Sequence, residues 1–376
     1  MKKYLISLIF ISSSIFAKEI VWLGRSPRAL LMGDAWTTLA NDDEMTLFYN
    51  PASLGANSSV GFNLINPRVA VTNALDELDR FENFPSSDAA AISDRLLGFP
   101  VFAEASIFPT FKMLNFAFSM FATTKTSISL NNAVHPSLDI DYRYDRGFAF
   151  GFGFNLMGGK NSRGKKLGNG ERLSVGYTLK YLRREGLDRR FDLFGTGLLD
   201  DINNGNLEST DDFKNILGFS EGKSFGHDLG IEDALSSGAS QFTAGASLMN
   251  IGDISFKKLS GTQAVPEQDM YLNLGASYRQ DFKLLSYTIS TDLKPINQPI
   301  PFGQMFNFGA SVSIPLVTGF FGWSQGYISY GVEVDVWPVS IIAGFYSVEL
   351  GSEFRENEGK RAMIYISLLD IDIDAF

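Results

Sequence analysis

Phe148, Phe150, Phe152, Phe154 and Leu156 fall on one parity of the chain, with Ala149, Gly151, Gly153 and Asn155 between them. In an extended chain alternate side chains point to opposite faces, so this run predicts a strand with one large apolar face and one small or polar face. The pattern recurs at Leu173, Val175, Tyr177, Leu179 and Tyr181, at Phe306, Phe308, Ala310, Val312 and Ile314, and at Ile328, Tyr330, Val332, Val334 and Val336. Weaker versions occupy 113–124, 240–250, 270–279 and 285–294. Gly, Pro, Asn and Asp separate the segments, as turn chemistry requires. A soluble sandwich also alternates, but its outer face carries charge. Here the non-greasy parity is mostly Gly, Ser, Ala, Thr and Asn. Lipid offers no hydrogen bonds, so only a closed barrel satisfies every strand there. The expectation is an all-β fold, a transmembrane antiparallel β-barrel of about 12–14 strands, its greasy face toward lipid and its small face toward the lumen. The count turns on how 57–66, 125–145 and 223–231 are read.

Composition agrees with the pattern. The 376 residues include 33 Phe and 36 Gly, 45% are apolar and 20% charged, and mean hydropathy is close to zero. Helical membrane proteins need apolar runs of about 20 residues, and beyond the N-terminus none exists. Abundant aromatics argue against disorder. The net charge of -10 argues against a nucleic-acid partner, whose phosphates require a basic face. No cysteine is present, which removes disulfides, thiolate metal sites and thiol nucleophiles.

The first residues read as an export leader. Met1-Lys2-Lys3 is a basic start, Tyr4 to Phe16 is apolar apart from serines, and Ser14-Ile15-Phe16-Ala17 ends small-x-small. This predicts a signal peptide over 1–17, cleaved after Ala17.

Residues 24–54 carry a second signature. Arg28-Ala29-Leu30 is followed by Met32-Gly33 and Ala35, then Ala40 with Asp42-Asp43, then Tyr49-Asn50-Pro51-Ala52 and Leu54. Read locally, Gly33 allows close backbone approach, Asp42 and Asp43 suit a turn or helix cap, and Asn50-Pro51-Ala52 is a turn signal. The stretch resembles the opening of FadL/PorV-like outer-membrane proteins, with "R-A-L-x-M-G-x-A", "A-x-D-D" and "Y-N-P-A-x-L". The resemblance implies a barrel of about 14 strands whose N-terminal segment, residues 18–56, folds inward as a plug or hatch, leaving 57–376 as the barrel. Arg28, Gly33, Asp42, Asp43, Asn50, Pro51 and Ala52 then form the plug motif. Such a segment either fills the lumen or moves as a gate. The resemblance implies passage of small hydrophobic molecules in the FadL-like branch, and a protein-binding scaffold for secretion or surface attachment in the PorV-like branch. A plain diffusion porin is a third reading. Expected partners are outer-membrane lipid, a hydrophobic small molecule, and a periplasmic or surface protein.

Two stretches break the strand pattern. Residues 73–99 predict short amphipathic helices through Leu75, Leu78 and Phe81. Residues 185–238 read as a long acidic excursion, with apolar residues at Phe191, Phe194, Phe213 and Phe219. Those four are candidate lid contacts for a greasy ligand, or simply residues that pack the lid on the rim. Asp200-Asp201 and Asp211-Asp212 lack calcium-loop spacing. His135 and His227 are the only histidines, no G-x-S-x-G elbow exists, and Gly151-Phe-Gly153 sits inside a strand. No catalytic residue, metal or cofactor is therefore assigned. At the end of the chain, Phe376 resembles the aromatic terminus of outer-membrane barrels, yet Asp370, Asp372 and Asp374 share its parity. Either the last strand stops near Ile373 or a bulge shifts its parity.

Overall fold

The computed structural model describes residues 19–374, apart from 76–81, 83–94, 132–136, 159–169, 193–213 and 215–216. The leader, the helices expected within 73–99, His135, Phe194, Phe213, the acids at 200–212 and Phe376 lie outside the described residues.

The strands are β1 Ser59–Ile65, β2 Arg68–Thr72, β3 Val101–Ile107, β4 Thr110–Met113, β5 Phe116–Asn131, β6 Ser137–Met157, β7 Gly170–Asp192 and β8 Ser220–Ser237. They continue as β9 Ser240–Met249, β10 Lys257–Gly261, β11 Tyr271–Asp281, β12 Ser286–Leu293, β13 Phe306–Ile314, β14 Val317–Ser324, β15 Tyr327–Val336, β16 Val339–Glu349 and β17 Glu358–Asp374. Neighbouring strands pair antiparallel, and β17 returns to β1 and β2, closing the sheet. Two crossings are broken by proline. β1 and β2 are halves of one crossing, split at Pro67, and β3 and β4 of another, split at Pro109. β10 extends the place of β9 beside the upper part of β8. The closed wall therefore has 14 crossings, the upper end of the expected range. No helix among the described residues is long and apolar enough to cross a membrane.

At the proline breaks the ladder is completed by a side chain. Asn66 accepts from the Phe108 N–H at 2.8 Å and donates to the Phe108 carbonyl at 2.8 Å. The amide stands in for the peptide unit that Pro67 and Pro109 cannot supply.

The alternation has the expected sense. Phe148, Phe150 and Phe154 are 43%, 43% and 48% exposed, whereas Ala149 is fully buried. In β17 the parity shifts at Leu369, while the register with β1, β2 and β16 runs on unbroken. Tyr365 and Ser367 are buried, Leu369, Ile371 and Ile373 are exposed, and Leu369 takes φ 60°. The excursion expected over 185–238 is narrower, because β7 runs to Asp192 and β8 begins at Ser220. Above the membrane a strand no longer needs a greasy face, so the charged run Arg183 to Asp192 reads as loop while its ladder with β6 continues.

Short connections such as 114–115, 238–239, 315–316 and 337–338 gather at one end, and the long ones, 73–100, 193–219 and 250–270, at the other. Outer-membrane barrels keep short turns on the periplasmic side, so the long-loop end is the outer mouth.

Residues 19–57 run inside the barrel, from near the mouth down to the start of β1. They fold as helix α1 (Pro27–Leu31) and three short 3₁₀ turns, Ala40–Asp42, Thr46–Phe48 and Pro51–Ala56. The wall makes room with residues that lack a side chain. A methyl group on Gly153 would sit 2.7 Å from the Gly55 nitrogen and 2.9 Å from the Pro51 oxygen, and one on Gly309 would lie 2.8 Å from Met32 Cβ. Gly176 is likewise closed off by Pro51 and Ala52, Gly275 by Thr37, and Gly331 by Leu31. Register aligns Gly153 with Gly176 and Gly176 with Gly230, and Gly309 with Gly322. The lumen glycines thus form an interrupted girdle against which the segment's backbone lies directly.

Candidate functional site in the lumen

Arg28, Gly33, Asp42 and Asn50 bond the segment to the wall. Ser26 caps α1 through the Ala29 N–H at 3.2 Å, with Pro27 at the first helical position. This aims Arg28 at β15, where it meets Glu333 through two parallel bonds, 2.9 and 2.5 Å. Gly33, at φ +59°, ends the helix in a conformation that suits glycine and donates its N–H to Ser329 at 3.1 Å. Asp42 pairs with Arg279 of β11. Asp43 accepts from Ser26 and from the Met45 N–H at 2.9 Å, the local turn expected of it. Asn50 caps the turn Pro51–Ala56 through the Ala52 N–H at 3.1 Å and reaches the Ile231 carbonyl of β8 at 3.4 Å. The motif is therefore local turn chemistry whose outward-facing groups engage the lumen wall.

Several anchors were invisible in the sequence. Asp292 of β12 accepts from the Trp36 and Thr37 N–H groups at 2.9 Å each and from the Thr37 hydroxyl at 2.7 Å. Lys294 stands 3.1 Å from Asp34, and Arg25 3.3 Å from it. Glu19, at the upper end, is held by Arg361 at 2.9 and 2.7 Å and by Lys125 at 2.9 Å. The signal available beforehand was an occasional acid or base on the small parity, such as Asp292, Lys125 and Glu333. It names no partner, because partners lie hundreds of residues away.

Burial sorts the segment's acids into two kinds. Burial works against ionised Glu19, but Arg361 and Lys125 outweigh it and hold the carboxyl far below the usual range. For Asp34, Lys294 and Arg25 likewise overcome burial and lower it. Asp43 and Glu44 are adjacent and buried. Burial raises both, and Asp43 raises Glu44 further, despite Arg28 nearby. The Tyr365 hydroxyl donates to Glu44 at 2.7 Å.

The wall beside the segment is not uniformly polar. Phe102, Phe108 and Phe121 of the β3–β5 side face inward and are buried against Leu23, Met45 and Phe48. Phe48 meets Phe108 and Phe121 edge-on, at ring centroid distances of 5.1 and 5.5 Å. Above Glu19 the mouth opens into a cavity of about 490 Å³ with a mixed lining, in which Pro100, Ile140 and Leu350 stand among Ser127, Asn131, Asp139, Asp188, Arg190 and Glu356. Of the candidate lid phenylalanines, Phe191 and Phe219 are described, and neither lines it. Phe191 is buried with Leu187 and Leu217, and Phe219 packs beside them with Leu138, Ile140 and Tyr142. They occupy the outward face of the extended β6–β7 hairpin, opposite to Asp139 and Arg190, so they pack the loop down rather than face a ligand.

No family model matches the sequence, and no curated protein matches it. Among solved structures, the toluene transporter TbuX of Ralstonia pickettii is 9% identical, with 93% of this chain and 99% of that chain covered and a TM-score of 0.47. The CymD monoaromatic hydrocarbon channel is 11% identical over 92% and 97%, TM-score 0.47. The toluene transporter TodX of Pseudomonas putida is 12% identical over 93% and 99%, TM-score 0.37.

Proposed function

We propose that this FadL-like barrel transports small hydrophobic molecules across the outer membrane, and that residues 19–57 act as its movable plug. The supporting observation is the lumen stripe of Phe108 and Phe121, covered by Phe48 of the segment within one apolar cluster that includes Leu23 and Met45, with Phe102 continuing the stripe beneath the Arg361 guanidinium. Withdrawal of the segment would uncover an apolar track below the mouth. A molecule with an apolar body would travel along that track, and polar groups of the mouth would keep it dispersed on arrival. Capture by Phe191 or Phe219 has no part in this route. A diffusion porin needs an open aqueous lumen, whereas here the segment lies against the wall at mid-height.

The test is a reversible lock. Thr38 of the segment and Ser277 of β11 have hydroxyls 2.8 Å apart, and the chain has no cysteine. In T38C/S277C, uptake of toluene by proteoliposomes should fall to background when the pair is oxidised and recover on reduction. Equal uptake in both states would refute the movable plug. Steady large ion currents through the unaltered protein would refute the transporter in favour of a porin.

A further inference from the structure

Four cations stand in one line on the outer face of the barrel near the mouth. Register places Arg146 opposite Arg183, Arg183 opposite Lys223, and Lys223 opposite Lys257. Two residues lower on the same face of β6, β7 and β8 lie Phe148, Tyr181 and Phe225, with neighbouring ring centroids 5.3 Å apart. Such aromatic rows mark the boundary between hydrocarbon and headgroups.

Like charges directly opposed on a sheet face repel, so an anion beside this row stabilises it. Glu221 supplies part of it, reaching Arg146 at 2.9 Å and Arg183 at 2.5 and 3.0 Å. The other nearby carboxylate, Glu185, is taken by Lys214 at 2.6 Å. Lys223 and Lys257 are exposed and have no hydrogen bond or ion pair among the described residues.

Below the same strands the outer wall holds an apolar groove of about 520 Å³, lined by Phe152, Phe154, Tyr177, Leu229, Ile231 and Leu248 among others. Tyr177 lies six residues below Arg183 on β7. At about 3.3 Å per residue and a tilt near 45°, that is a depth of about 14 Å, close to one leaflet of a hydrocarbon core about 30 Å thick. Cations at the headgroup level and a trough at acyl depth share one face.

We infer that this face binds a net-anionic lipid of the outer leaflet whose phosphate carries no cationic headgroup, that phosphate on Lys223, Lys257 and Arg183 and one acyl chain in the groove. A lipid is favoured over a free anion because the groove opens sideways into hydrocarbon and contributes almost no polar surface.

The test uses delipidated protein in mild detergent and native mass spectrometry. The probes are phosphatidic acid, phosphatidylcholine with the same chains, and inorganic phosphate. The unaltered protein should retain one phosphatidic acid in preference to phosphatidylcholine. K223Q/K257Q should weaken that retention by about thirtyfold, the loss expected when two cations leave the headgroup layer. Ile231→Trp, which fills the groove from an exposed position, should also weaken it. K283Q, at the periplasmic end, should change nothing. Equal retention of the two lipids, or indifference to K223Q/K257Q or to Ile231→Trp, would overturn the proposal. So would displacement by inorganic phosphate at equal concentration, since the site would then select a free anion.

Discussion

Replacing Gly153 by alanine tests whether the segment truly rests on bare backbone. The added methyl would stand 2.7 Å from the Gly55 nitrogen, 2.9 Å from the Pro51 oxygen and 3.0 Å from Leu54 Cβ. Comfortable contacts are about 3.5–4.0 Å, so the turn Pro51–Ala56 must retreat by about 1 Å. That retreat would stretch the Ser53 to Glu232 hydrogen bond, now 2.5 Å, to the edge of usefulness. Overpacking of this kind costs about 1–3 kcal/mol. Relief of glycine's backbone entropy in the strand returns about 0.5–1 kcal/mol. A net loss of about 1–2 kcal/mol corresponds to about 5–30-fold more frequent opening of the segment. The matched control is Gly319→Ala on β14, where an added methyl meets nothing within 4 Å, so it should be neutral or slightly stabilising. Hydrogen exchange of peptides spanning 46–58 in the folded, reconstituted barrel measures the difference. If both variants exchange alike, the segment does not bear on the wall at Gly153 and the girdle argument fails.

Three further outcomes are expected. Arg28→Met should loosen the segment by about 2–3 kcal/mol, below the full figure for a buried pair because Arg28 is partly exposed. Adding E333M should restore part of that, and no recovery would mean that Arg28 acts through other contacts. Asn66→Ala removes both bonds to Phe108 and strands two backbone groups, so the heat needed to unfold the barrel on a gel should drop by an amount equivalent to about 2–4 kcal/mol, and an unshifted midpoint would show the ladder is complete without the amide. Seating of the segment should depend on pH with a maximum. Asp43 and Glu44 are raised, so their contribution is complete below the ordinary carboxylate range and is lost as pH rises through their shifted values. Glu19 and Asp34 are lowered, so theirs is complete above that range and is lost as pH falls well below it. Protease resistance of residues 19–57 should thus be greatest in the ordinary carboxylate range, about pH 4, and a trend in one direction only would contradict the assignment.

The lipid-facing half of this fold was plain in the chain. Phe148 to Leu156 alternates because hydrocarbon on one side and a crowded lumen on the other leave no other choice. Strand β8 was harder, since Lys223 and His227 interrupt its apolar parity and Asp228 and Glu232 place charges on the lumen parity. The upper part of β7 failed for the same reason, as water on both faces leaves no parity to read. For the lumen segment, the turns at Ser26, Gly33 and Asn50 were legible because they depend on neighbours within a few positions. Their partners Asp292, Ser329 and Glu333 were not, because only barrel closure brings them near. The abundance of glycine was read as a small lumen face; its stricter cause is that a polypeptide lies against it.

The bond between Glu44 and Tyr365 also bears on how the protein is assembled. It joins an early element to one made 321 residues later, and the same two regions meet again in the seam of β17 with β1 and β2. An assembly machine that zips the strands in order therefore handles a chain whose interior contents precede the wall that surrounds them. Until β17 docks, Glu44 and Glu19 lack Tyr365 and Arg361, so the lumen contacts report completion of the circle and make closure of the seam and seating of the segment a single cooperative event.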